Sequence, residues 1–241
     1  MFPIRDTIPS RHMPVAMGGL IVANVLVFFL ELQLPPGAIE GFFHRYGVVP
    51  NLIADPGGGK GPQIYVTLLT SMFLHGGWMH LISNMWMFWI FGDNVEDRMG
   101  VIRFCAFYLL CGLVSALVHV VSNMNSGIPT VGASGAIAGV MGAYFVLYPH
   151  ARILTLIPPF FVHIPAVIFL GIWLLTQIFS GTAELADPQA VGGIAWWAHI
   201  GGFVSGMLLC RVFAQPATSH PWPEKRSQGV IMLNDDDYRV R

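Results

Sequence analysis

Six apolar stretches dominate this sequence of 241 residues and restrict the folds open to it. They are residues 14–34, 79–91, 101–121, 134–148, 160–179 and 194–213. Crossing a hydrocarbon core of ~30 Å takes about 20 helical residues, which four of the six stretches provide. Hydrophobic residues make up 54% of the chain and charged residues 10%, too apolar a balance for a soluble domain. The pattern predicts an all-α membrane protein with six transmembrane helices.

Two of these stretches, residues 79–91 and 134–148, are shorter than a membrane span. At ~1.5 Å per residue they cover roughly 20 Å and 22 Å of the ~30 Å core. Pro149 and Arg152 mark one end of the later stretch, so its other end at Ser134 should lie inside the membrane. Non-helical backbone is tolerated at that depth only where it is buried in protein or lines a wet cavity. We therefore expect the second and fourth spans to be partly re-entrant.

The basic residues predict how the chain is oriented. Most lysines and arginines flank one set of span ends, and only Arg45 and Lys60 fall on the other side. The positive-inside rule then puts both termini in the cytoplasm. We expect residues 1–13 to be a cytoplasmic N-terminal segment, residues 14–214 a six-span membrane domain and residues 215–241 a mobile cytoplasmic tail. The expected location is a bacterial inner (plasma) membrane, with the lipid bilayer as a partner.

Charge and cysteine usage exclude several functions. The net charge is −1 without a basic field, which argues against a nucleic-acid partner. Cys105, Cys111 and Cys210 lie in or beside apolar stretches without metal-ligand spacing, and the HExxH pattern of zinc proteases is absent. We expect no disulfide, no metal and no cofactor.

Four polar side chains fall at one predicted depth in the apolar stretches. Ser134 opens the fourth span, and His199 lies roughly 7–13 Å below the start of the last one. His80 and Asn84 lie one turn apart on one helix face, near the start of the second span. Unpartnered polar groups are costly at such depth. We expect these four side chains to meet around a water-accessible cavity.

Glycine pairs beside two of these residues predict close helix contact. Gly135 and Gly139 form one small-xxx-small face, and Gly202 and Gly206 form another. Each pair begins next to a reactive residue, the serine in the fourth span or the histidine in the last. Close packing would bring the hydroxyl to the imidazole, which is the geometry of a nucleophile and its base.

These residues predict acyl-transfer chemistry by a serine–histidine dyad, because no carboxylate lies within reach of a triad. Ser134 would attack a carbonyl, and His199 would take its proton and pass it to the leaving amine. The oxyanion would be held by the Ser134 backbone N–H at a helix N-terminus, helped by His80 and by the Asn84 amide.

Three segments carry a resemblance to a known family. They are residues 132–135, Gly-Ala-Ser-Gly; residues 75–84, which begin His-Gly-Gly-Trp-Met-His; and residues 198–202, Ala-His-Ile-Gly-Gly. In this order and membrane context they resemble the motifs of the rhomboid intramembrane serine proteases, and the resemblance extends over residues 14–213. It implies a six-transmembrane-helix rhomboid-like bundle.

The resemblance also implies a serine-type endopeptidase that cuts transmembrane protein substrates near their outer ends. Position by position, it assigns Ser134 and His199 as the catalytic pair and His80 and Asn84 as oxyanion helpers. One position departs from the family. Some members carry an aromatic residue four positions after the serine, packed on the catalytic histidine, where this chain has Ala138. The residues therefore do not say what orients the histidine.

Parts of the pattern allow other interpretations. A catalytically silent relative would bind membrane clients, but such a protein has no need for both Ser134 and His199. A solute transporter would show paired halves and charges at mid-depth, and the sequence shows neither. His119 and His163 have no visible partners and are expected to be satisfied structurally, while His75 is expected to bond loop backbone.

Overall fold

A computed structural model describes residues 1–35, 37–55, 61–186 and 194–215. Over these residues the chain is mostly helical, with one small sheet. Its elements in chain order are β1 (Phe2–Asp6), α1 (Val15–Glu31), α2 (Ala38–Tyr46), α3 (Pro50–Ala54), a 3-10 turn (Pro62–Val66), α4 (Thr67–Thr70), a second 3-10 turn (Ser71–Phe73), α5 (Trp78–Met99), α6 (Val101–Ser122), α7 (Ser134–Leu147), β2 (Arg152–Ile157), β3 (Phe160–Pro165), α8 (Ala166–Ala186) and α9 (Trp196–Phe213).

Each predicted apolar stretch contains a helix, although the helices differ in length from the predictions. In the described part of the chain, two helices are long and apolar enough to cross a membrane, Val101–Ser122 and Ala166–Glu184. Helices α1 and α7 are apolar but shorter. The mainly helical fold is thus confirmed, while the count of six membrane crossings stays a prediction.

The helix in the second predicted span is longer than the sequence indicated. The prediction ended it at residue 91, where charged residues begin, but α5 has 22 residues and continues to Met99. The carboxylate of Glu96 accepts the backbone N–H groups of Ala16 at 2.9 Å and Met17 at 2.8 Å, in the first turn of α1. A buried carboxylate at a helix N-terminus satisfies otherwise unpaired donors, so this charge stabilises the bundle instead of ending the helix.

The expected all-α fold is wrong in one respect, because the structure contains a three-stranded antiparallel sheet in the order β1-β2-β3. Strand β1 lies within the predicted N-terminal segment and pairs Phe2 with Leu156. Strand β3 occupies the start of the predicted fifth span, residues 160–179, so the helix begins only at Ala166.

The sheet forms because the segment after α7 carries turn and strand signals. Residues 158 and 159 are both proline and form the turn between β2 and β3. The flanking residues are rich in β-branched side chains, and Ile153 lies opposite Ile164 in the ladder. A short apolar run does not by itself distinguish a buried strand from a helix, which explains the wrong boundary.

Helix α7 forms the centre of the bundle, with 11 of its 14 residues buried. It packs on α9 through the two predicted glycine pairs. A Cβ on Gly202 would overlap the carbonyl of Gly135. A Cβ on Gly206 would overlap the carbonyl of Gly139. The two backbones are therefore in direct contact, as small residues on facing helices allow.

The two ends of the described chain meet at one end of the bundle. Asn94 of α5 donates to the carboxylate of Asp6 at 2.9 Å. One turn further along α5, the carbonyl of Arg98 accepts the backbone N–H of Gln215 at 2.7 Å. The rest of the predicted tail, residues 216–241, lies outside the described residues.

Candidate active site

The structure brings Ser134 and His199 together. Ser134 is the first residue of α7, and His199 lies in the first turn of α9. The Oγ of Ser134 is 2.8 Å from Nε2 of His199, and both side chains are partly buried. The contact between α7 and α9 backbones places the two residues at matching heights. This is the hydrogen-bonded pair that nucleophilic catalysis requires.

The loop before Ser134 is held by backbone hydrogen bonds. Gly132 donates to the carbonyl of Ser71 at 2.8 Å. Thr130 and Val48 exchange both backbone hydrogen bonds, at 2.7 Å and 2.9 Å. Gly132 has φ of 131°, a conformation that residues with a Cβ rarely adopt. Part of the non-helical backbone leading to Ser134 is thus hydrogen-bonded within the protein, as non-helical backbone at the predicted depth would have to be.

His80 and Asn84 lie beside the same loop. A Cβ on Gly132 would be 2.8 Å from Nε2 of His80 and 3.7 Å from Nδ2 of Asn84. The backbone N–H of Gly76 donates to Nδ1 of His80 at 3.3 Å. Because Nδ1 accepts this bond, the neutral ring carries its proton on Nε2, the nitrogen next to the loop. Two groups with N–H donors therefore lie beside Gly132, two residues before Ser134.

His75 supports this pair of donors, a role that the sequence did not reveal. Its Nε2 lies 3.1 Å from Nδ2 of Asn84, and its ring centroid is 5.1 Å from that of His80. The carboxylate of Glu31 accepts the backbone N–H of His75 at 3.2 Å. His75 was expected to bond loop backbone, and the structure adds contacts of its buried ring with the two predicted oxyanion donors.

Two residues of α8 contact the imidazole of His199, and neither was identified from the sequence. Oε1 of Gln177 is 2.8 Å from Nδ1 of His199, and the ring centroid of Trp173 is 5.9 Å from that of His199. Ala138 is fully buried and provides no aromatic ring. The sequence did contain a signal for Gln177, because a side-chain amide inside an apolar helix needs a hydrogen-bond partner.

A cavity of about 30 Å³ adjoins Ser134. Its polar lining includes Ser71, Ser115, His119, Thr130 and Ser134. A water molecule needs roughly 10–15 Å³ of such volume and two to four polar partners, so the cavity can hold water beside the serine. Hydrolysis requires this access in an otherwise apolar bundle.

The remaining predicted features have simpler surroundings. Nε2 of His119 lies 2.8 Å from Oγ1 of Thr130, so this histidine is satisfied by a neighbour as expected. The three cysteines are free thiols. Within the described residues, no group of three or more His, Cys, Asp or Glu side chains could hold a metal ion.

Comparison with known proteins adds an independent finding. The family described as Rhomboid domain matches residues 62–216. The human presenilin-associated rhomboid-like protein, mitochondrial, is 30% identical over 197 residues, which are 78% of this chain and 46% of the relative. Rhomboid protein 1, mitochondrial, of Saccharomyces cerevisiae is 29% identical over 149 residues, 59% of this chain and 40% of the relative. RHOMBOID-like protein 6, mitochondrial, of Arabidopsis thaliana is 32% identical over 163 residues, with 66% and 47% covered. The chain spans about half the length of the curated relatives it matches.

These relatives contradict one expectation. The predicted location in a bacterial inner membrane is wrong on this comparison, because all three relatives are mitochondrial by name. The physical signals in the sequence, span length and loop charge, report that a chain crosses a bilayer of ~30 Å. They do not distinguish one such membrane from another.

Proposed function

Because this chain belongs to the rhomboid family, we propose that it is a serine-type endopeptidase that hydrolyses transmembrane proteins inside the membrane. The observation that carries the proposal is the 2.8 Å contact between Oγ of Ser134 and Nε2 of His199. A serine at the start of an apolar helix is otherwise most simply explained by packing. Packing does not require an imidazole within hydrogen-bonding distance of its hydroxyl.

The reaction begins with Ser134 attacking the carbonyl of the scissile peptide bond. His199 accepts the hydroxyl proton on Nε2 and returns it to the leaving amine, which leaves an acyl-enzyme. Water then enters from the cavity beside Ser134 and attacks the ester carbonyl while His199 takes its proton; the ester bond to Oγ breaks, Oγ receives that proton back from His199, and the new carboxyl end of the substrate leaves. Acylation and deacylation both use Oγ of Ser134 and Nε2 of His199.

Three donors surround the position of the developing oxyanion. The N–H of Ser134 is at the N-terminus of α7, where backbone N–H groups have no partner within the helix and the helix dipole favours negative charge. The N–H groups of His80 and Asn84 approach from the side of Gly132. Fixed donors in a site of low dielectric are worth more than donors in water.

The fold suits a membrane protease with six spans, α1 and α5 to α9. Helix α7, with 14 residues, is ~21 Å long, so a bilayer of ~30 Å would leave Ser134 below its outer surface. We place the small sheet, the N-terminal segment and residue 215 on the cytoplasmic side. With 22 residues α5 is long enough to cross completely, so we propose a short fourth span and no longer a short second one.

The proposal is tested by labelling the purified full chain with a fluorophosphonate, which reacts with activated serines. Wild type, Ser134→Ala and His199→Ala are compared, with Ser122→Ala as a matched control because Ser122 bonds its own helix at the carbonyl of Val118. We expect labelling of wild type and of the control, and loss of labelling in the other two. Equal labelling of all four proteins would exclude the mechanism.

The same four proteins distinguish a protease from a catalytically silent relative. Each is incubated with a substrate that carries a single transmembrane helix, and cleavage and co-purification are measured. A wild-type protein that retains the substrate without cleaving it would favour the silent, client-binding alternative. We expect cleavage that depends on both Ser134 and His199.

A further inference from the structure

We propose that Gln177 is the positioning residue of the catalytic base, taking the place that a carboxylate holds in a serine protease triad. This inference rests on the proposed function, since it concerns the same dyad. In a triad, the third member accepts a hydrogen bond from the imidazole and fixes both its orientation and its tautomer. The sequence places no carboxylate within reach of His199. Position 138, where some family members have an aromatic residue packed on the catalytic histidine, is alanine in this chain.

The geometry places Gln177 directly behind the imidazole. Oε1 of Gln177 is 2.8 Å from Nδ1 of His199, and Nε2 of the same ring is 2.8 Å from Oγ of Ser134. The Gln177 side chain is 5% exposed, so water does not compete strongly for the bond. Ser134, His199 and Gln177 form a continuous hydrogen-bonded chain across three helices.

The orientation of the Gln177 amide is determined by its own helix. Its Nε2 donates to the carbonyl of Trp173 at 3.2 Å and lies 3.1 Å from Oγ1 of Thr176. With the NH₂ group engaged there, the carbonyl oxygen faces His199. A carbonyl only accepts hydrogen bonds, so Nδ1 of His199 must carry the proton. The unprotonated Nε2 then faces the serine, which is the tautomer that a general base needs.

A neutral amide suits a base located inside a membrane. A carboxylate in this position would have to be kept charged in apolar surroundings, which is costly. An amide orients the ring and selects its tautomer without that cost. It also supplies less stabilisation to the imidazolium than a carboxylate would, so its contribution should be smaller than that of the aspartate in a soluble protease.

The same helix supplies the ring contact that Ala138 lacks. Trp173 precedes Gln177 by one helical turn, so both side chains lie on one face of α8. Its ring centroid is 5.9 Å from that of His199 and 5.9 Å from that of Phe203. Helix α8 therefore orients the base by an amide and an aromatic ring together.

The test compares Gln177→Met, Gln177→Glu and Thr182→Val in the chain of 241 residues. Methionine has nearly the shape of glutamine but cannot accept from Nδ1, whereas glutamate keeps an oxygen that can accept whether its carboxyl group is charged or, as apolar surroundings favour, neutral. Thr182 is an exposed residue of α8 that bonds its own helix at Phe179, so Thr182→Val is a matched control. kcat and KM are measured with a single-helix substrate, and thermal unfolding is followed in each protein.

We expect Gln177→Met to lower kcat by about 10–100-fold with little change in KM, and Gln177→Glu to recover most of the rate. Thr182→Val should match wild type. A Gln177→Met enzyme with wild-type kcat, or one whose loss glutamate does not recover, would overturn the inference while leaving the dyad in place. A wild-type enzyme without Ser134-dependent activity would instead overturn the proposed function.

A second measurement needs no change at Gln177. Long-range ¹H–¹⁵N spectra of protein labelled with ¹⁵N-histidine report which ring nitrogen carries the proton, and the His199 signals are identified by their loss in His199→Gln. We expect the Nδ1-protonated tautomer in wild type. An Nε2-protonated ring would contradict the role of Gln177 even if the variants failed to fold.

Discussion

Helices α7 and α8 both contact α9, but the two contacts differ in kind. Helix α7 meets α9 through glycine backbones, so that no Cβ fits at Gly202 or Gly206. Helix α8 contacts His199 through the side chains of Gln177 and Trp173, and much of its remaining surface is exposed apolar residues. In the apolar part of α8, 28% of the residues are buried, whereas 11 of the 14 residues of α7 are buried.

This difference separates two requirements of the dyad. The distance between the proposed nucleophile and the proposed base is set by two backbones in contact, which cannot be adjusted without moving a whole helix. The orientation of the base depends on two side chains of a helix that has fewer packed neighbours. Loss of the first contact should cost both stability and activity, whereas loss of the second should cost mainly activity.

Removal of a reacting group should have the largest effect. We expect Ser134→Ala and His199→Ala to lower turnover on the order of 10⁴-fold or more, because each acts as part of one unit. Thermal unfolding should change little, since the glycine contact between α7 and α9 is untouched. Cleavage assays together with melting curves check both statements. Retained turnover in either variant would mean that the α7–α9 contact serves packing alone.

Loss of an oxyanion donor should have the next largest effect. Asn84→Ala is expected to lower kcat about 10²–10³-fold, the usual loss for one such donor. Ser83→Ala is the control, because Ser83 is exposed on the same helix and bonds the His80 carbonyl of its own turn. An Asn84→Ala enzyme of normal rate would show that the dyad works without this donor.

The contrast between the two helix contacts is tested most directly with alanine. In Gly206→Ala the new Cβ would overlap the Gly139 carbonyl, so we expect destabilisation of roughly 1–3 kcal/mol and reduced activity. In Gly171→Ala, on α8, the new Cβ meets nothing within 4 Å. We expect that change to be neutral, or to stabilise the helix by up to about 1 kcal/mol. Similar melting temperatures for both variants would refute the distinction.

The smallest effect is expected at the far end of α7, where Tyr144 donates to Asp6 of β1 at 2.6 Å. Burial raises the pKa of Asp6 to about 7; nearby Asp93 adds to the increase and the Tyr144 hydrogen bond opposes it. Between its ordinary value of 3.8 and about 7, the folded protein holds a proton that the unfolded chain has released. The free energy of unfolding should therefore fall as pH rises through this window.

Asp6→Asn keeps the shape of the side chain and removes the titration. Between about pH 4.5 and about pH 8, the melting temperature of the wild type should fall by a few degrees more than that of the variant. Identical pH dependence would show that Asp6 titrates near its ordinary value in the folded protein. Activity at constant temperature should differ little, because this contact is at the opposite end of α7 from Ser134.

The fold could be predicted where hydrophobicity determines the position of an element. It was less predictable where contacts with other elements determine its ends or its conformation. Apolar stretches located the helices, since a membrane leaves few other ways to satisfy the backbone. The end of α5 was missed because Glu96 finds its partners in α1, far away in sequence. Strand β3 was missed because residues 160–165 are apolar in either conformation, and pairing with β2 is a property of the folded chain.

The sequence by itself determined which residues could carry the chemistry of this protein. Three features were visible in the sequence: the serine and histidine in apolar stretches, the glycine pairs beside them, and the motif from His75 to Asn84. Polar groups in apolar stretches are costly, so they indicate a functional site. Only the tertiary structure decided which side chains contact the imidazole of His199. Gln177 and His199 are 22 residues apart on different helices, and their contact depends on how α8 packs against α9. Hydrophobic periodicity identifies elements one at a time, whereas a hydrogen bond between two elements exists only after they have packed.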